Sequence, residues 1–187
     1  MKLKSLRSCA VILALFAVGI PSRGDAPGAG KGADNGPMHD ELARLVGNWD
    51  ASVTFVFGGK ENQGAARCEA KWILDDHCVH QEYKSMFMGR PLTILQLLSY
   101  DADKKKLVEI HMTNMHGGAL CNQGESHDNG KQWKLSGPFV DPQTRKSTEL
   151  QTVYTFEDPD HFTLDWFTSG PDGKVVRSVH IVHSRRK

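Results

Sequence analysis

Nine histidines and four cysteines among 187 residues make metal chemistry the first possibility to weigh. The densest cluster is Asp75-Asp76-His77-Cys78-Val79-His80. Cys78 and His80 are two apart, so on a strand they share a face and both can reach one zinc ion. Zinc takes three or four protein ligands, and this segment offers two on that face. No second pair follows at ligand spacing, so the pair stays incomplete and no metal is expected. His111, Met112, Met115 and His116 suggest copper by ligand softness. Met112 and Met115 differ in parity, however, and cannot face one site from a regular strand; core filling is the plainer role.

Near the C-terminus, Val175, Val179, Ile181 and His183 form the more apolar face of a strand and are expected inward at its start, with His180 on the other face. An inward neutral imidazole could ligate a haem iron. Nothing else marks a porphyrin pocket, so no cofactor is called for, and haem or metal binding is kept as an alternative. The carboxylates Glu82 and Asp165 sit within strand patterns and would matter if buried with raised pKa values. Outward, solvated positions explain both as well. The chain has no Gly-x-Ser-x-Gly elbow, no phosphate loop and no His-Glu-x-x-His. A binding role fits better than an enzyme.

The elements that must position these residues follow a period of two. A short helical pattern over Met38–Val46 stops at Gly47. From Trp49 onward, Trp49, Ala51, Val53, Phe55 and Phe57 alternate with polar residues, as do Ala66, Cys68, Ala70, Trp72 and Leu74. Leu92–Tyr100 is apolar on both faces and reads as a strand covered on both sides. Connectors such as Asp75-Asp76, Gly89-Arg90-Pro91, Asp128-Asn129-Gly130 and Gly170-Pro171-Asp172-Gly173 carry turn chemistry. About ten such strands with no helix between them predict an all-β antiparallel meander, closed as an up-and-down barrel under a capping helix. A β-sandwich is the other closure.

Residues 1–26 read as an export signal: Lys2, Lys4 and Arg7, then the uncharged run Cys9–Ile20, Pro21, and small residues at Gly24 and Ala26. That run, about 12 residues, is too short to cross a bilayer core of roughly 30 Å as a helix. Residues 27–37, rich in Gly, Ala and Pro, read as a flexible leader, so the folded domain is expected over 38–187. The mature chain is expected to be exported, periplasmic or secreted, with no transmembrane segment. Lys plus Arg number 23 against 22 Asp plus Glu, a net charge of +1, which offers no pull toward nucleic acid. After loss of Cys9 an odd set remains, Cys68, Cys78 and Cys121. Tight-hairpin register across Asp75-Asp76 sets Ile73, not Cys68, opposite Cys78, which disfavours that bridge. Three buried free thiols are the plainest expectation.

The blocks HDELARLVGNWD, GRPLTILQLLSYDADKKKLVEIHMTN, DPQTRKSTE and GPDGKVVRSVHIVHSRR, in this order, resemble the bacterial family known as domain of unknown function 1579. The resemblance covers residues 38–187 and implies a lipocalin-like, calycin-type barrel. In calycins an early Gly-x-Trp tryptophan packs against a basic residue of the last strand. Trp49 matches the first, and Arg185 is the candidate for the second, with Arg186 and Arg177 as alternatives. The chain departs from the family pattern at Ser99, Ile110 and His111. The resemblance implies no catalysis.

A barrel of this size can enclose one small ligand in an apolar pocket. The expected lining is Phe55, Trp72, Tyr83, Leu95, Met112, Trp133, Tyr154 and Trp166. The expected function is therefore binding of a small, largely apolar molecule; the alternative is a structural module whose aromatics fill the barrel.

Overall fold

Gly47 is the residue at which helix gives way to sheet. Its φ of +138° is open to glycine and strained for other residues. A Cβ there would lie 2.3 Å from Arg185 Nη1. The computed structural model describes residues 36–57, 59–140, 146–169 and 174–187. The export signal over 1–26, most of the leader and the Asp141-Pro142 and Gly170–Gly173 turns lie outside the described residues.

Helix α1 spans Gly36–Ala43, starting slightly before the expected Met38. Ten strands follow: β1 Gly47–Phe57, β2 Lys60–Ile73, β3 Cys78–Phe87, β4 Arg90–Asp101 and β5 Lys106–Thr113. The second half is β6 His116–His127, β7 Gln132–Val140, β8 Ser147–Asp158, β9 His161–Ser169 and β10 Val175–Arg185. Each strand pairs antiparallel with its sequence neighbours, and β10 closes on β1 to make a barrel, Trp49 opposite Arg185 and Phe55 opposite Val179. The sandwich alternative falls away because closure leaves the sheet no free edge.

Alternation decides what enters the barrel. On β2, Ala66, Cys68 and Ala70 are buried while Arg67, Glu69 and Lys71 are exposed. The register of the β2–β3 hairpin is Ile73 opposite Cys78 and Cys68 opposite Tyr83, so Cys68 points in and Cys78 out. All three described cysteines are free thiols; Cys68 and Cys78 are buried, but Cys121, on the outer side of β6, is exposed, against expectation.

Three other expectations are corrected. Leu74 is not an inward strand residue. It sits in the turn with φ of 56° and is 71% exposed, and Asp75 and Asp76 also have positive φ. Val175 is exposed because a bulge between Arg177 and Val179 shifts the parity of β10; beyond the bulge Ile181 and His183 are buried. The outer side of β4 is not covered: Leu95 and Leu97 are only half-buried, beside Met112 and Ile110 of β5.

One end of the barrel is sealed. Arg185 lies with its guanidinium 4.0 Å above the Trp49 ring. Its Nη1 donates to the Val46 carbonyl (2.7 Å), Nη2 to Arg44 (3.1 Å), and Nε to Pro159 (3.1 Å), with Asp160 at 3.2 Å. Trp49 Nε1 donates to Leu45 O (2.8 Å), and its ring meets Phe162 edge-on. Helix α1 is fastened to the same end: Glu41 accepts from Trp133 Nε1 (2.9 Å), Arg44 reaches Gly130 O (2.6 Å), and His39 stacks flat on Trp72. Among the described residues no helix is long and apolar enough to cross a membrane.

Candidate functional site

Beyond this plug the lumen becomes polar. Gln81 on β3, Gln96 on β4, Glu109 and His111 on β5, Asn122 on β6 and Thr152 on β8 are all buried at inward positions. Register brings them together: Gln81 is opposite Gln96, Gln96 opposite His111, and Glu109 opposite Asn122. Thr152 and Tyr154 reach the cluster from β8.

Glu109 is its centre. Its Oε1 accepts from the Tyr154 hydroxyl (2.6 Å) and from Gln96 Nε2 (3.2 Å), and Oε2 accepts from Asn122 Nδ2 (2.8 Å). Asn122 Nδ2 also donates to Thr152 Oγ1 (3.0 Å). Space for Asn122 comes from Gly137 on β7, where a Cβ would stand 2.5 Å from Asn122 Oδ1. Burial pushes the Glu109 carboxyl above its ordinary range, and the hydrogen bonds from Tyr154, Asn122 and Thr152 oppose that rise. Among the described residues no lysine or arginine is buried beside this carboxyl, and the imidazole of His111 is buried two residues along the same inward face.

The cluster also leaves acceptors unused. The Gln96 amide gives its nitrogen to Glu109, and Gln81 turns its nitrogen toward Cys68 Sγ (3.9 Å); the oxygen of each is buried and has no partner. Trp166 Nε1, on β9 toward the end away from the helix, is a buried donor without a partner among the described residues. Its ring meets His111 edge-on at 4.9 Å.

A second buried chain belongs to the plug side. Tyr83 OH is 3.0 Å from His183 Nε2, and the His183 ring stacks on Phe162 at 3.9 Å. Burial lowers the His183 pKa from 6.5 to about 3, opposed by the backbone of Phe162, so the ring is neutral and shares one hydrogen bond with Tyr83 through Nε2. Burial also pushes the Cys68 thiol up to about 12. His183 faces inward as its parity predicts, with Nε2 engaged by Tyr83.

The eight expected lining residues divide. Trp72 and Trp133 are inward but locked into the plug, under His39 and Glu41. Tyr83 and Tyr154 lie in the buried middle, and Phe55 and Trp166 are inward and half-buried toward the other end, Phe55 beside Phe87. Leu95 and Met112 do not line the lumen. Burial alternates with Gln96 and Leu98 inward on β4, and with Glu109 and His111 inward on β5, which turns Leu95 and Met112 outward. Cys78 and His80 share a face, the outer one, and Cys78 Sγ donates to Val79 O (3.8 Å). Among the described residues no group of three or more metal-ligating side chains comes together. Glu82 and Asp165 are outward, paired with Lys84 (3.4 Å) and with His180 (2.7 Å) respectively.

The carboxyl that matters, Glu109, was missed for a physical reason. On β5 the residues Val108, Ile110 and Met112 form the more apolar face, and hydrophobicity alone assigns that face to the core. The usable signal was Leu107, whose parity with Glu109 and His111 marks the inner face.

A closed antiparallel barrel of this topology, plugged by a Gly-x-Trp and arginine pair, has a lipocalin-like fold. The chain belongs to the DUF1579 family, described as a protein of unknown function, whose profile matches residues 34–185. No curated protein matches the sequence. Among solved structures it is similar to Rv2717c from M. tuberculosis, at 13% identity and a TM-score of 0.61, covering 81% of this chain and 98% of that one. It is also similar to the S-type phycobiliprotein lyase CPES from Guillardia theta, at 10% identity and a TM-score of 0.57, covering 80% and 93%. At these identities the likeness speaks for the barrel alone.

Proposed function

We propose that this protein binds a small molecule inside the barrel, in the part of the lumen between the Glu109 cluster and the end away from helix α1. The observation that carries this reading is the set of buried polar atoms left without partners among the described residues, Gln81 Oε1, Gln96 Oε1 and Trp166 Nε1, around a carboxyl with no buried lysine or arginine among those residues. A barrel meant only to be filled would have apolar residues at those positions, because each buried unsatisfied group costs about 1–3 kcal/mol. A ligand that brings complementary groups recovers that cost. The expected largely apolar ligand is thereby revised to an amphipathic one, polar at the Glu109 end and apolar toward Trp166, Ile94 and Val53. The similarity to a phycobiliprotein lyase supports the shape of the container and leaves its contents open.

The basic start and short apolar run of residues 1–20 support export, and the mass of the mature protein in its own host tests it, cleavage after Ala26 being the expected result. Native mass spectrometry of protein purified from that host tests the binding. A co-purified molecule released on denaturation is expected. A clean ligand-free mass, with no thermal shift across a panel of amphipathic metabolites, would reject binding in favour of a filled structural barrel.

A further inference from the structure

The donors and acceptors around Glu109 are unequal in number, and the imbalance carries chemical information. Three adjacent strands place a carboxylate and two unused amide oxygens in one buried patch: Gln81 on β3, Gln96 on β4 and Glu109 on β5. With Glu109 ionised, rotating the Gln96 amide does not repair it, since its oxygen would then face Glu109 Oε1 across 3.2 Å, acceptor against acceptor. Asn122 Oδ1 is also without a partner, but it lies against the backbone at Gly137, toward the wall. The half-buried arginines, Arg44 and Arg185, are committed to the plug through Gly130, Val46 and Pro159. The patch is rich in acceptors, holds a potential negative charge and, among the described residues, contains no lysine or arginine.

We infer that the ligand carries a protonated amine or a related cationic nitrogen, whose N–H groups donate to Glu109 and to the Gln81 and Gln96 oxygens. This rests on the small-molecule reading above and narrows it. Water satisfies stray acceptors but leaves the buried charge unbalanced, whereas an ammonium group does both, and hydrogen bonds between ionised partners are about twice as strong as neutral ones. An alkyl or aryl body extends from the nitrogen toward Trp166, whose ring face also favours a cation.

Three probes of equal length separate the possibilities: octylamine, octanol and octanoate, titrated at neutral pH into the wild-type chain and into Glu109→Gln, with thermal shift and calorimetry as readouts. Octylamine is expected to bind about tenfold or more tighter than octanol, with octanoate weakest, as a charge-assisted contact in a buried site implies. In Glu109→Gln that advantage should fall to within about threefold, with far-ultraviolet circular dichroism unchanged. If that variant does not fold, Gln81→Leu, which removes one acceptor and keeps the carboxyl, should cut the octylamine advantage by about threefold or more. Octanol or octanoate binding as tightly as the amine in wild type overturns the cationic ligand and leaves small-molecule binding standing. An undiminished amine advantage in the variants overturns it as well. No shift with any probe, together with a ligand-free mass from the host, overturns both.

Discussion

Trp49 and Arg185 at the plugged end spend nearly all the polar hydrogens they carry: the indole donates to Leu45, and four guanidinium N–H groups donate to Val46, Arg44 and Pro159. Midway up the barrel, Gln81 and Gln96 are as deeply buried, yet each leaves its oxygen unused. Burial alone therefore does not separate these two pairs of residues; hydrogen-bond completeness does, although His39 Nε2 and His183 Nδ1 on the plug side are also left without partners among the described residues. A closed network rigidifies and an open one waits for a partner.

Trp49→Ala should give the largest effect if the plug is purely structural. Trp to Ala in a core costs about 3–5 kcal/mol, and the upper end is expected because Arg185 also loses the ring beneath it. Urea unfolding measures it. A loss under about 1 kcal/mol would mean the helix, not the indole, seals the barrel.

Acid should strip the plug side next. His183 has a folded pKa of about 3 against an ordinary 6.5, so its contribution is complete above pH 6.5 and is lost as pH falls toward 3. Each unit is worth about 1.4 kcal/mol, giving a loss of about 4 kcal/mol by pH 3. His183→Gln should flatten the pH dependence of urea unfolding between 6.5 and 4. Parallel curves for the two proteins would assign acid sensitivity to carboxylates alone.

A smaller change sharpens the plug side. Arg185→Lys keeps the charge but cannot span Val46, Arg44 and Pro159 together, and is expected to cost about 1–2 kcal/mol in urea unfolding without altering ligand affinity. A change in affinity would break the division between the two regions.

How far the sequence could be read follows the same division. The helix stop at Gly47 and the strand opening at Trp49 were legible because those signals are local and steric, while the pairing of Trp49 with Arg185 came from the family resemblance. Strand boundaries were legible wherever turn residues punctuate alternation. The lumen was not, because β4 and β5 invert the usual rule. Their outer faces carry Leu95, Leu97, Ile110 and Met112, while their inner faces carry Gln96, Glu109 and His111. Apart from Leu107 on β5, closure of the barrel decides which face is inside, and closure is a long-range property that alternation does not encode. The bulge at Arg177 and Val179 works the same way, since one extra residue reverses the parity on which Val175 was assigned.

The last prediction concerns the sign of Glu109's own contribution. Its folded pKa is raised above 4.5, chiefly by burial, so the native state holds this proton more tightly than the unfolded chain. That contribution is present in full below pH 4.5 and is lost as pH rises through the folded value, opposite in direction to His183. The groups facing it are Tyr154 from β8, Gln96 from β4, Asn122 from β6 and Thr152 from β8, with His111 on its own strand and Tyr83 and Cys68 nearby. Burial holds Tyr83 and Tyr154 well above 10 and Cys68 at about 12, so none of those three ionises between pH 5 and 8. Ligand-free wild type should therefore lose stability relative to Glu109→Gln as pH rises above 4.5, measured by urea unfolding of both proteins across that range. Octylamine should shrink the difference, because a cation beside the carboxylate supplies what the fold omits. Identical pH profiles without ligand would mean that the four neighbouring donors already balance the charge, and the lumen would then resemble the plug after all.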